Sequence, residues 1–531
     1  MNSGIATTLG LGLITLGAAS VRFFHLGAKS FSPDEAFSIT LARTGWSAFR
    51  GLLVGGEANM ALYYVLLRIW SKISDTPSFV RAMSVVLGVA TVPAIYFVGK
   101  TLFSRRAGMI SALLLAVNVF HISYSQEARS YSLVVLLVTC SSLFFVRCVQ
   151  SRSSADRVWY ILTSTAALYA HFFAALVLLA QFATWMLLPG RLRTWTQLRN
   201  LIAIAALGFP LALFIALHGT SHLDWIQQSP HMAKEVYHFF TYLSGSGVKF
   251  VIFLAASALA SRAWWLQRTR DSEPGEGWPF VFVGLWLLLP ILMTLLVSLW
   301  KPVFVFRFLI ICLPAALLLF GEGLALIRPN WLCWATLAVM VCSSLIAVRS
   351  FYRQPATSDW RAAISYLAQN ARSGDVLIFA SPYCRFPFDY NLRMSGKVLP
   401  QMRVQYADAG GIRDFPAQAQ HVWLVDFYAQ AHHHWATLPS ENGEPTGMPR
   451  FRFQRTLRFP GVEIEEFDSS TEVHGESEQF VPLGALLGAT IRRLRHFVRQ
   501  PFRHVRRVSC GRNRYTQRIS KGRLLTTAST T

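Results

Sequence analysis

The residues whose types and spacing could do chemistry are few, and most are acidic. Asp34 and Glu35 are adjacent carboxylates in Ser32-Pro33-Asp34-Glu35-Ala36-Phe37-Ser38, directly after the first long apolar run, and no acidic residue precedes them. Carboxylates where a chain leaves a bilayer suggest a general base at a membrane surface. The competing reading is helix capping, with Ser32 or Asp34 opening a helix over 35–43. Glu57 follows in Glu57-Ala58-Asn59-Met60-Ala61-Leu62-Tyr63-Tyr64, and Glu127 in Tyr124-Ser125-Gln126-Glu127-Ala128-Arg129-Ser130-Tyr131. Glu127 with Arg129 could position a substrate; the plainer alternative is a salt-bridged loop at a helix start. His171 lies in the aromatic run Leu168-Tyr169-Ala170-His171-Phe172-Phe173. It is a candidate ligand residue or a hydrogen-bonded interfacial histidine. Arg307, after Lys301-Pro302-Val303-Phe304-Val305-Phe306, could pair with an anion or snorkel to the interface.

These residues need elements to hold them, and composition says which. The chain has 531 residues, 53% hydrophobic and only 15% charged, against about 25% charged in a soluble domain. Apolar runs of about 20 residues, the length that crosses a bilayer, recur near 5–24, 79–100, 107–121, 131–149, 157–172, 173–189, 201–217, 249–266, 279–299, 307–326 and 330–349. The reading is a polytopic α-helical membrane protein with about eleven transmembrane helices. The net charge of +23 resides mostly in short loops and the tail. That placement fits membrane topology and anionic lipid rather than nucleic acid, for which no recognition module is visible. The seven cysteines have no CxxC spacing, so they form neither a disulfide framework nor a zinc site.

Alternate short loops hold Arg105 and Arg106; Arg147, Arg152 and Arg157; Arg191, Arg193 and Arg199; and Arg262, Arg268 and Arg270. The positive-inside rule assigns that set to the cytoplasm. Asp34, Glu35, Glu57, Glu127, Asp224 and Glu235 then all fall on the outer side. The 54-residue loop 25–78 is too long for a passive connector. Its apolar end, Ala61 to Trp70, suits a helix lying in the interface.

After residue 350 the composition turns soluble. Asp359 can cap a helix from Trp360 to Ala371, and strands are expected at 375–380 and 421–427, with a hairpin of 451–459 and 462–468 about Pro460-Gly461. The domain reading is a membrane domain over 1–350, a small α/β domain over 351–470 outside the cytoplasm, and a basic tail over 471–531, disordered or interfacial. Residues 481–531 hold twelve Lys or Arg and no acid. The triplet His432-His433-His434 reads as a solvated loop rather than a metal site.

The order Pro33-Asp34-Glu35, then Leu62-Tyr63-Tyr64, then Tyr124-Ser125-Gln126-Glu127-Ala128-Arg129 resembles the GT-C glycosyltransferases. The nearest branch is that of the dolichyl-phosphate-mannose protein mannosyltransferases and their bacterial relatives. Where many of those relatives have His-Pro-Pro before Leu-Tyr-Tyr, this chain has Asn59-Met60-Ala61. The resemblance implies inverting transfer of a sugar from a polyprenyl-phosphate donor to a hydroxyl on a glycan, lipid or protein, on the outer face of a bacterial inner (plasma) membrane. A phosphate leaving group needs no general acid, only positive charge from Arg, Lys or a divalent metal. The acceptor hydroxyl needs one base. The resemblance assigns the base to Asp34; Glu35, the second catalytic candidate, need not share that task and could orient the acceptor, ligate a metal or hold the loop. Glu57, Asn59, Tyr63, Glu127, Arg129, His171 and Arg307 are the substrate-binding candidates. A metal cofactor stays open. Two alternatives also remain: a lipid-linked glycan flippase, and a catalytically weakened relative acting as a binding partner, motivated by Asn59.

Overall fold

The computed structural model describes residues 2–151, 153–218, 226, 231–245, 247–270, 277–406, 419–427 and 451–469. The described residues divide into two compact units, the first comprising those of 1–361 and 386–396 and the second those of 362–385 and 397–469.

The first unit is helical. It opens with α1 (Asn2–Phe23), followed by α2 (Pro33–Arg43), α3 (Trp46–Leu52) and α4 (Ala61–Trp70) in the loop before α5 (Pro77–Leu102). Next come α6 (Arg105–Ala116), α7 (Val119–Ser125), α8 (Tyr131–Gln150), α9 (Ser154–Ala170), α10 (Ala174–Leu187) and α11 (Trp195–His218). The set continues with α12 (Met232–Ser244), α13 (Gly247–Arg270), α14 (Trp278–Val297), α15 (Leu313–Leu326) and α16 (Asn330–Arg353). Among the described residues seven helices are long and apolar enough to cross a membrane, or up to nine if each bent pair is one span. Of the eleven expected segments, 107–121 is the bent pair α6–α7 with a 58° angle. The expected spans at 157–172 and 173–189 are the shorter helices α9, with 17 residues, and α10, with 14.

Apolar burial alone does not hold helices together in lipid; close approach and interhelical hydrogen bonds do. Gly99 and Gly108 let α5 and α6 touch, since a Cβ on Gly99 would lie 2.7 Å from the Gly108 Cα. Tyr160 donates to Gln181 Oε1 at 2.8 Å, Gln181 Nε2 donates to Ser141 at 3.1 Å, and Ser141 and Ser164 share a 2.7 Å bond, tying α8, α9 and α10. The α6–α7 break has a specific partner. Arg22, fully buried at the end of α1, donates to the carbonyls of Leu115 at 3.0 Å and Ala116 at 2.9 Å. It thereby satisfies acceptors that a helix end leaves open. Asn118 caps α7 by accepting from His121 N at 3.0 Å.

The second unit carries most of α17 (Trp360–Asn370) and five strands, β1 (Val376–Phe379), β2 (Arg403–Tyr406), β3 (His421–Phe427), β4 (Phe451–Phe459) and β5 (Val462–Ser469). The sheet order is β2-β1-β3-β5-β4, parallel across β2, β1 and β3 and antiparallel at both β5 edges. Val376, Ile378, Val422, Leu424 and Phe467 form its core. Gly461, at φ 64°, makes the β4–β5 turn. A final helix, α18 (Arg385–Ser395), follows β1, and from Phe386 it belongs to the first unit. There Tyr390 stacks on Phe31 at 4.4 Å and Phe386 meets Phe37 edge-on at 5.3 Å, so α18 braces both ends of the Asp34 segment.

Candidate active site

The helix bearing the two carboxylates starts where the sequence says it should. Ser32 is the N-cap of α2 and Pro33 its first residue. Ser32 Oγ accepts from Glu35 N at 3.3 Å, and Glu35 Oε2 accepts from Ser32 N at 3.0 Å. This reciprocal box satisfies two otherwise open donors. Capping and chemistry therefore divide between the neighbours.

Glu35 is buried and fully engaged. Arg81 grips it bidentately, Nε to Oε1 at 2.7 Å and Nη2 to Oε2 at 2.8 Å, and Ala128 N donates to Oε1 at 3.0 Å. Burial alone would raise this carboxyl, but Arg81 and the backbone N–H groups of Ser32 and Ala128 hold it below the usual carboxylate range. Arg81 also donates to the carbonyls of Leu26, Lys29 and Ser30. Of the roles open to Glu35 in the sequence, these contacts match holding the loop: they join the first loop, α5 and the 126–130 turn.

Asp34 faces the other way, with its side chain 33% exposed, and its Oδ2 accepts from Arg307 Nη1 at 3.2 Å. Arg129 Nη1 donates to Ser38 Oγ at 3.2 Å and to Tyr64 OH at 3.4 Å, and reaches the Asp34 carbonyl at 3.5 Å. Tyr64 in turn donates to Glu57 Oε2 at 3.1 Å. Burial raises the Glu57 carboxyl, against the pull of Arg129 and of the Tyr64 hydroxyl. Glu127 lies within the field of Glu35, Arg307, Asp34 and Arg129; burial first, then the two carboxylates, push it up to about 8. Among the described residues its carboxylate makes no hydrogen bond.

Two expected binding residues have structural partners instead. Asn59 Oδ1 accepts from Phe172 N at 3.0 Å, fixing the first loop to the turn between α9 and α10. Tyr63 bonds Ser84 Oγ at 3.0 Å and is wholly buried behind the charged cluster. His171 occupies that α9–α10 turn, buried among Phe172, Phe173, Phe308 and Tyr131. Burial, then Arg129 and Arg307, lower it to about 3, so it is neutral. Asp34, Glu127, Arg129, His171 and Arg307 thus meet at one end of the bundle, delivered by the first turn of α2 and three inter-helix segments.

Sequence reading missed Arg81, Ser38, Tyr64 and Tyr131. Arg81 had a signal, because a lone arginine at the mouth of an apolar span needs a buried partner. Among the described residues no group of three or more His, Cys, Asp or Glu is arranged to hold a metal. Asp224 and His432 to His434 lie outside the described residues.

Residues 58–218 match the family model of the dolichyl-phosphate-mannose-protein mannosyltransferases. Among solved structures the chain is similar to ArnT from Cupriavidus metallidurans in the apo state, with TM-score 0.56 and 12% identity over 87% of this chain and 98% of that one. For the same protein bound to undecaprenyl phosphate the values are 0.51, 10%, 88% and 99%. The archaeal oligosaccharyltransferase AglB from Archaeoglobus fulgidus, in complex with an inhibitory peptide and a dolichol-phosphate, gives 0.49 and 11% over 91% and 75%. Comparison with curated proteins gives no match. The fold is thus similar to that of the ArnT structures, a stretch of the chain matches the mannosyltransferase family model, and the run of long apolar helices makes this a multi-pass membrane protein.

Proposed function

We propose that this chain is an inverting glycosyltransferase that moves a sugar from a polyprenyl-phosphate donor to a hydroxyl acceptor on the outer face of the membrane. The observation that carries this reading is the partly exposed Asp34 paired with Arg307 at 3.2 Å, against a Glu35 held by Arg81. One carboxylate is left for one proton. The acceptor O–H gives its proton to Asp34 as its oxygen attacks the anomeric carbon. The bond from that carbon to the phosphate oxygen breaks, and the phosphate keeps the electron pair. Arg307 and Arg129 receive the charge that develops there, where fixed donors are worth most. The pairing in the absence of donor has a consequence. A phosphate arriving at Arg307 competes with Asp34 for the guanidinium, so donor binding releases the base. The structure of ArnT from Cupriavidus metallidurans bound to undecaprenyl phosphate supports this donor class.

The test supplies membranes with a panel of labelled polyprenyl-phosphate sugars and determines the anomeric configuration of any product. Transfer with inversion supports the reading. Retention of configuration, or flipping of the labelled lipid across sealed vesicles without transfer, overturns it.

A further inference from the structure

Two buried polar groups beside the arginines have no role in the chemistry above. Tyr131, the first residue of α8, is 1% exposed, and its hydroxyl has no hydrogen-bond partner among the described residues. His171 is also 1% exposed, and its Nε2 is likewise without a partner. The two rings are neighbours, with centroids 6.2 Å apart. Both feel the same cations: Arg307 and Arg129 act on the Tyr131 hydroxyl together with Asp34 and Glu127, and the same two arginines act on His171.

The His171 tautomer follows from its other nitrogen. Nδ1 accepts from Phe173 N at 3.3 Å, so in the neutral ring Nε2 carries the hydrogen and can only donate. A buried donor left unpaired is destabilising, because it forfeits its bonds to water and gains none. Two such groups side by side next to two guanidiniums are better explained by a ligand than by packing. Guanidiniums only donate, and so does this imidazole. A set of donors calls for a ligand that is rich in acceptors and anionic. Sugar hydroxyls, which donate as well, fit it less well than phosphate oxygens.

We infer that the Tyr131 hydroxyl and the His171 Nε2–H form the neutral half of the donor-phosphate site, hydrogen-bonding phosphate oxygens whose charge Arg307 and Arg129 balance. This rests on the donor class proposed above. Neutral donors suit the site because a third and fourth positive charge would hold the product phosphate too tightly for release. They also fix the orientation of the phosphate, which point charges do not.

The experiment measures binding of farnesyl phosphate, farnesol and inorganic phosphate to the purified full chain in detergent, together with its thermal unfolding. Tyr131→Phe removes only an oxygen without a partner. Its melting temperature should be unchanged or higher, while its affinity for farnesyl phosphate falls about tenfold, as for a lost contact of about 1.4 kcal/mol. Farnesol binding should not move. His171→Asn, which keeps an acceptor near the Nδ1 position, should weaken farnesyl phosphate similarly, and His171→Gln should recover part of the loss. Inorganic phosphate competing as well as farnesyl phosphate would show a free-phosphate site and overturn the lipid assignment. Tyr131→Phe binding like wild type, while Arg307→Gln binds weakly, would overturn this inference alone. Failure of the wild type to bind farnesyl phosphate, or indifference of Arg307→Gln, would overturn the donor reading with it. A Tyr131→Phe chain that melts early and loses farnesol too would show a structural role instead.

Discussion

The Glu127 carboxyl sits among Asp34, Glu35, Arg129 and Arg307, with Tyr124 and Tyr131 also acting on it or within its field. Raised from 4.5 to about 8, it is protonated in the folded chain at pH values where the unfolded chain has already lost that proton. Its linkage therefore costs nothing below about pH 4.5 and weakens folding progressively as pH rises toward 8. The same ionisation adds a negative charge beside Arg307. Affinity for a phosphodiester donor, whose own charge is fixed, should fall as pH passes about 8, and Glu127→Gln should flatten that profile. An unchanged profile in Glu127→Gln would contradict the assignment. At this scale the sequence singled out Asp34, Glu127, Arg129, His171 and Arg307 because charges at the ends of apolar runs have few structural reasons to be there, and the structure brings these five to one end of the bundle. It did not show the partners of Glu35, Asn59 and Tyr63. Their partners are Arg81, Phe172 N and Ser84, which lie 46, 113 and 21 positions away, and nothing local predicts such pairings.

Among the elements, α2 is positioned by the Glu35–Arg81 pair, whose side chains are 3% and 6% exposed. Breaking a buried pair by removing one partner costs about 3–5 kcal/mol, since the other charge is left unpaired. Glu35→Gln and Arg81→Gln should each lower thermal stability by that amount and reduce transfer through misplacement of Asp34. The double replacement should cost less than the sum of the two. Additive losses would mean that the two side chains act independently. The start of α2 was legible in Ser32-Pro33, and helix α4 in its apolar, aromatic run. Two elements were not. Strand β2 is a four-residue edge strand with largely exposed side chains, so it lacks the apolar pattern that marks its neighbours. Helix α18 interrupts the α/β segment with residues that pack in the first unit, a tertiary choice that its own weak periodicity does not announce.

At the scale of the whole molecule, the helical membrane class could be read from the apolar runs, whereas their breaks could not. The α6–α7 bend depends on Arg22, 93 residues from the carbonyl of Leu115 that it satisfies, so a hydropathy reading sees one straight span. That bend is what delivers Glu127 and Arg129 to the end of the bundle where α2 presents Asp34. Among the described residues, broken and capped helices thus converge on the partly exposed Asp34 carboxylate with Arg307 and Arg129 around it. The most direct measurement compares Asp34→Asn with wild type in the same preparation, for single-turnover transfer from a polyprenyl-phosphate sugar and for binding of that donor. Loss of a general base predicts transfer slowed by about 10²–10⁴-fold, with donor binding kept or strengthened because Arg307 no longer pairs with a carboxylate. Transfer at the wild-type rate would contradict the account.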